Sequence, residues 1–177
     1  ISIISFGWKE VSDTLFGNKT KTLINKTWVN SKYGAFPINL STPNVLVRTD
    51  SVGSFQNFES GKIEEILYTA LKIRPNEERQ KQITKQEIID KVILDLREIG
   101  ATNILTKENS FVTQGNETGL KVFGSFDYQI NGEKTRKDYS SLDFRENNGK
   151  QNILIVFDQN DDLLKKITER IENSIKF

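Results

Sequence analysis

Two long stretches of the chain carry apolar residues at helical spacing, and each opens on a start signal. Thr84-Lys85-Gln86-Glu87 has the capping-box arrangement, in which the threonine oxygen takes the backbone N–H three residues on and the glutamate reaches back. Ile88, Ile89, Val92, Ile93, Leu96 and Ile99 then form one broad apolar stripe, with Glu87 and Lys91 paired on the outer side and Gly100 closing the element. This predicts a helix over 84–99. Near the C-terminus, Asn160 or Asp161 caps a second helix whose Leu164, Ile167, Ile171 and Ile175 recur every turn. Trp8, Val11 and Leu15, followed by Gly17, predict a short N-terminal helix. A polar stretch then runs to about residue 30.

Elsewhere the period is two. Leu120, Val122, Phe126, Tyr128 and Ile130 alternate along one strand, and residues 139–145 supply the next. Ile153-Leu154-Ile155-Val156-Phe157 is apolar on both faces, which predicts a central strand covered twice. Asn131-Gly132 and Asn148-Gly149 sit between these runs as hairpin signals, because both residue types tolerate positive φ. Residues 33–40 alternate loosely up to the turn signal Ser41-Thr42-Pro43-Asn44, and residues 45–49 read as a strand. Residues 62–74 fit a helix through Ile63, Ile66 and Ala70, or a strand through Leu67, Thr69, Leu71 and Ile73. The strand is preferred, and Arg74-Pro75 ends either one. Between Asp50 and Gly61 the composition turns to Ser, Gly and Asn, which reads as a loop. The order of elements predicts an α+β fold, an antiparallel sheet flanked by the mid-chain helix and the C-terminal helix. Residues 1–30 read as an N-terminal helix and extension, and 31–177 as a single domain.

Composition narrows the chemistry. At 177 residues, 36% hydrophobic and 28% charged, the chain has enough apolar mass for a packed core. A net charge of +1 gives no general attraction to nucleic acid or anionic lipid. With no cysteine there are no disulfides, thiolate metal sites or thiol nucleophiles, and with no histidine there is no Ser-His-Asp triad or imidazole ligand. No glycine-rich strand-to-helix turn of the dinucleotide or P-loop type occurs. The absence of methionine implies that Ile1 is not a translational start. The apolar opening Ile1 to Phe6 reads equally as the tail of a signal peptide or upstream membrane anchor, or as a local strand or helix lead-in.

The candidate chemical motifs each have an ordinary explanation. Asp158, Asn160, Asp162 and Glu169 have the EF-hand offsets, but Leu163 replaces the glycine that the sharp turn needs, so a strand end and helix cap is the better reading. Glu64-Glu65, or Asp143 with Glu146, could supply the two acids of a glycosidase, although their context is that of a solvated surface. The run Lys134-Thr135-Arg136-Lys137 reads as an exposed hairpin whose charges discourage edge pairing. Asn18, Asn25, Asn39 and Asn116 begin Asn-X-Ser/Thr triplets, which matter only in a eukaryotic secretory setting. Phe55 and Phe58, two rings in a polar segment, are either an apolar protein-contact surface or a plug in the core.

Residues 33–177 resemble the PsbP-like superfamily, the fold shared by the photosystem extrinsic protein and the Ran-binding nuclear import factor. Tyr33-Gly34-Ala35-Phe36-Pro37-Ile38-Asn39-Leu40 with Pro43 is similar to the family's opening strand and proline turn, and the helix over 84–99 follows. Gly119-Leu120-Lys121-Val122-Phe123-Gly124 resembles the start of its meander, and Ile167 through Ser174-Ile175-Lys176-Phe177 its closing helix. The resemblance implies a PsbP-like sandwich that works as an adaptor or assembly subunit. The expected function is therefore a non-catalytic, protein-binding domain, bacterial, exported or envelope-associated, with a cytoplasmic location as the alternative. It needs no cofactor, metal or nucleic acid, and Phe55 and Phe58 are its contact residues. A carboxylate-only glycan hydrolase and a carrier of a small apolar ligand are the other readings.

Overall fold

The computed structural model describes residues 19–34, 38–53, 55–75, 83–146 and 149–177. The helix expected around Trp8 lies outside them. Residues 19–25 are helical (α1). A two-stranded ribbon follows, β1 (Val29–Tyr33) against β2 (Ile38–Thr42). The main sheet contains β3 (Val47–Val52), β4 (Phe55–Ser60), β5 (Leu67–Pro75), β6 (Thr102–Val112), β7 (Thr118–Ile130), β8 (Glu133–Glu146) and β9 (Gly149–Asp158). Its order is β3-β4-β5-β9-β8-β7-β6, antiparallel at every pairing. Helices α2 (Lys85–Glu98) and α3 (Asp162–Asn173) lie on opposite faces. This is the expected α+β architecture.

The strongest local signals hold. Thr84 caps α2 with both halves of the capping box formed, and Ile88, Val92 and Leu96 are buried. Lys91 reaches Asp95 at 3.1 Å, while Glu87 closes the cap. Asp161 caps α3 by accepting from the Leu163 and Leu164 backbone N–H groups. Residues 62–74 resolve as a turn followed by β5, and β9 occupies the middle of the seven strands with both faces covered. Asn131 and Gly132, both at positive φ, turn β7 into β8.

Two readings need correction. The loop expected at 50–61 is the β3–β4 hairpin, with Val52 opposite Phe55. Its composition is polar because β3 is exposed along its whole length, as an outermost strand can be. The hairpin signalled by Asn148-Gly149 is present, with β8 running against β9 as far as Glu146 opposite Gly149. Gly149 also lets β9 approach β5, since a Cβ there would stand 2.4 Å from the Arg74 carbonyl oxygen. Finally, Asp143 and Lys137, expected at the solvated surface, have side chains only 2% and 3% exposed. Each is buried because it is paired: Asp143 with Arg145 and Lys150, and Lys137 with Asp158 and the Glu65 carbonyl.

The helices are offset across the sheet. α2 packs over β6 and β7, and its core joins Val92 and Leu96 to Val122, Phe126, Tyr139 and Val156. α3 packs over β9 and against β2, where Leu164, Ile167 and Ile171 meet Leu40, Leu71, Ile153 and Ile155. Ile175, just past the helix, is fully buried beside a bridge between Asn39 and Lys176.

Candidate groove beside the C-terminal helix

Because α3 lies over β9 and not over β6 to β8, the sheet face beyond it stays uncovered by any described element. A groove of about 700 Å³ results. The two-residue period places Leu105 and Lys107 of β6, Lys121, Phe123 and Ser125 of β7, and Asp138 and Ser140 of β8 toward this face. Lys165, Thr168 and Glu169 on one flank of α3 form the opposite wall. Leu105 is 61% exposed on the outermost strand, so the floor is apolar while the rim carries both signs of charge.

One end of the groove is closed by a buried ion pair. Glu172, 1% exposed, accepts from the Lys121 ammonium at 2.7 Å and from the Ser140 hydroxyl. Lys121 also stands over the Phe111 and Phe123 rings at 5.5 and 5.7 Å, so its charge is held by aromatic faces as well as by the carboxylate. The buried Thr168 hydroxyl has no hydrogen-bond partner among the described residues. Burial pushes the Asp138 carboxyl above its ordinary range, against the opposing pull of Gln159, Lys165 and Arg136. At the far end of the sheet face, Lys134, Arg136 and Asn103 hold Asp127 well below the usual carboxylate range.

The residues singled out from sequence lie elsewhere. Phe58 is in the core against Tyr33, with ring centroids 4.9 Å apart, and Phe55 is half-buried beneath the Arg74 guanidinium. Both belong to β4, at the other end of the sheet from the groove. The acidic turn does not converge: Asp158 holds Lys137 and Asp161 caps the helix, while Glu169 lines the groove. No group of three or more potential metal-ligating side chains occurs among the described residues.

A second cleft of about 850 Å³, between α1 and the turn before β5, is lined by Glu64, Glu65 and Asp158. Asp158 is committed to Lys137, and the Glu65 carboxylate folds over Gly61. The three acids therefore do not face one another as a free set. The groove is not legible in the sequence because its lining comes from five elements, β6, β7, β8, β9 and α3, and because β6 carries no clear strand pattern. Its Lys107, Glu108 and Asn109 break the apolar alternation. The exposed Leu105 and half-buried Phe111 on one face were the signal available.

No protein-family model matches the chain, and no curated protein matches its sequence. Among solved structures it is similar to LpqN, involved in cell envelope biogenesis of Mycobacterium tuberculosis. The TM-score is 0.39 and the identity 6%, over 86% of this chain and 84% of that one. A likeness at that level carries nothing about activity, and the functional reading rests on the groove.

Proposed function

We propose that the chain is a non-catalytic binding domain that receives a segment of another protein in the groove between α3 and β6–β8. The observation that carries the reading is the juxtaposition of an apolar floor with a strand edge that no described residue pairs. Phe123 and Leu105 lie beside β6, an eleven-residue strand at the margin of the sheet. An extended segment laid there gains main-chain hydrogen bonds from the edge and apolar contacts from the floor. The rim carries Lys107, Lys165 and Glu169, and charges of both signs select a partner rather than a lipid surface. The PsbP-like resemblance points the same way, toward an adaptor or assembly subunit. An exported or envelope setting is part of the proposal, in keeping with a chain that has no cysteine. No described helix is long and apolar enough to cross a membrane.

Photo-crosslinking in the native host tests the reading. A crosslinker at Leu105 should capture one defined protein, and the same group at Leu94, exposed on the outer side of α2, should not. Equal capture at both positions, or capture at neither, removes the proposal. Native mass spectrometry of the purified chain checks the carrier alternative, which requires an apolar small molecule bound in the groove.

One observation favours the glycan-hydrolase reading: Asp138, with its raised carboxyl, shares the groove with Glu169. Hydrolysis of a glycan panel, abolished by Asp138→Asn with folding retained, would establish it over the binding role.

A further inference from the structure

No described residue pairs the outer edge of β6, although the strand is eleven residues long and carries Leu105 and Val112 at 61% and 56% exposure. An edge of that length is a template for a further strand. Contacts tell the two faces of β6 apart. Leu105 and Lys107 line the groove, whereas Ile104 joins the core under α2 and Glu108 meets Lys85 of α2 at 2.5 Å.

Geometry restricts how such a strand can pair with itself. Antiparallel strands put directly opposed residues on one face, so a two-fold axis normal to the sheet must pass through a single residue. With the axis at Glu108, Leu105 stands opposite Phe111 of a second copy, Ile104 opposite Val112, Thr106 opposite Ser110 and Lys107 opposite Asn109. Every apolar side chain of the strand then meets an apolar one, and every polar one a polar one. With the axis at Lys107, the two lysines oppose each other and Leu105 falls against Asn109. With the axis at Asn109, Leu105 falls against Thr113 and Lys107 against Phe111. At the Glu108 axis the glutamate faces its own copy, but each brings its Lys85, so two ion pairs meet there rather than two bare carboxylates.

Helix α2 supplies an independent match. Asp95 on one flank pairs with Lys72 of β5, while Lys85 on the other flank reaches β6. Ile89 and Ile93 follow Lys85 at four-residue steps, so they line the flank that overlooks the β6 edge, and both are half-buried. The helix starts beside Glu108 and ends just before Thr102, so it covers the first half of β6 and leaves Val112 bare. The two-fold axis reverses this order in the second copy. The bare Val112 end of each strand is thereby set beside the Ile89–Ile93 flank of the other copy's helix.

We propose that the chain forms a two-fold dimer in which β6 pairs antiparallel with β6 of a second copy about Glu108. The inference rests on the same edge as the groove reading and names the occupant that guards it until another protein displaces it. Sedimentation of the intact purified chain should show a monomer–dimer equilibrium that shifts with dilution. Because the chain has no cysteine, a single introduced one can bond only to its own copy. Glu108→Cys places two thiols at the axis with Cα atoms about 4.5–5.5 Å apart, within disulfide reach, whereas Lys107→Cys leaves about 8 Å. Under mild oxidation Glu108→Cys should form covalent dimer about tenfold faster or more. Val112→Lys, at an exposed position, and Ile93→Lys should each weaken the dimer about tenfold or more.

A monomer at every concentration, equal rates for the two cysteines, or a dimer indifferent to both lysine variants overturns the proposal. Ile93 lies on the far face of the sheet from the groove, so capture of another protein by a crosslinker at Leu105 should survive Ile93→Lys. Such capture by a strictly monomeric chain overturns the dimer alone. A β6-paired dimer that captures nothing but its own copy supports the dimer and removes the groove reading alone.

Discussion

The two faces of the sheet solve the same covering problem in opposite places. Seven strands at a spacing of about 4.8 Å make a surface about 29 Å wide, and a helix is only about 10–12 Å across. One helix cannot cover such a face. On one side α2 sits over β6 and β7 and reaches Lys72 of β5 through Asp95, and the rows nearer the β8–β9 turn carry Arg74, Lys150 and Arg145. On the other, α3 and the β1–β2 ribbon cover β9 and β5 and leave the β6–β8 end to Leu105 and Phe123. The diagonal offset leaves both regions without cover from any described element. What fills each of them, cations or apolar rings, is a matter of side chains alone.

The comparison breaks most visibly in the cores under the two helices. Ile171 and Leu96 are both fully buried, one under each helix. Ile171→Asp places an unpaired carboxylate in the larger core and should cost about 4 kcal/mol or more, enough to abolish folding of a marginal domain. Leu96→Ala should cost about 2–5 kcal/mol, as cavity formation does elsewhere. Chemical denaturation checks both. An unchanged midpoint for Ile171→Asp would show that α3 is peripheral, and the groove argument would fall with it.

A smaller effect is expected at the closed end of the groove. Glu172→Ala should destabilise by about 2–4 kcal/mol, because Lys121 is left among the Phe111 and Phe123 rings without its carboxylate. Lys121→Met/Glu172→Met, which removes both charges, should recover most of that loss. If the double variant is no better than the single one, the pair is not what the burial penalty attaches to.

Capping sharpens the comparison further. Thr84→Ala and Asp161→Ala each remove the hydrogen bonds that satisfy a helix N-terminus, and each should cost about 1 kcal/mol in urea titrations. Asp161 also receives the Thr20 hydroxyl at 3.1 Å, so its loss should exceed that of Thr84. Equal values would mean that the link between α1 and α3 contributes nothing.

The smallest expected effect is a difference in pH response between two carboxylates near the groove. Asp127 is held below its ordinary range, so the native state binds fewer protons there than the unfolded chain. Its stabilisation is present above the unfolded pKa and is lost as pH falls through that value toward the folded one. Asp138 is raised, so the sign reverses. The native state binds the extra proton, and stability declines as pH rises from the unfolded pKa through the folded one. Asp127→Asn should flatten the acid limb of a Tm-against-pH curve, whereas Asp138→Asn should raise Tm on the neutral side. Parallel curves for the two variants would contradict the opposed environments.

What the sequence determined by itself was local or strictly periodic. The Thr84-Glu87 box, the turn at Asn131-Gly132, the α3 stripe and the doubly apolar β9 each rest on residues within a few positions of one another, and all four stand in the fold. The β3–β4 hairpin was legible in principle, since Gly53-Ser54 lies between Val52 and Phe55 as a two-residue hairpin signal, but the exposed faces of β3 hid it. Tertiary structure decided the rest. Whether Asp143 and Lys137 are surface charges or buried ions depends on partners that pairing and burial supply. Lys121 meets Glu172 across 51 positions, and Arg74 meets Arg145 only through β9 between them. A sequence displays which residues are charged or apolar along one strand, but strand order and register decide which of them share a face. The groove beside α3 is a product of that register.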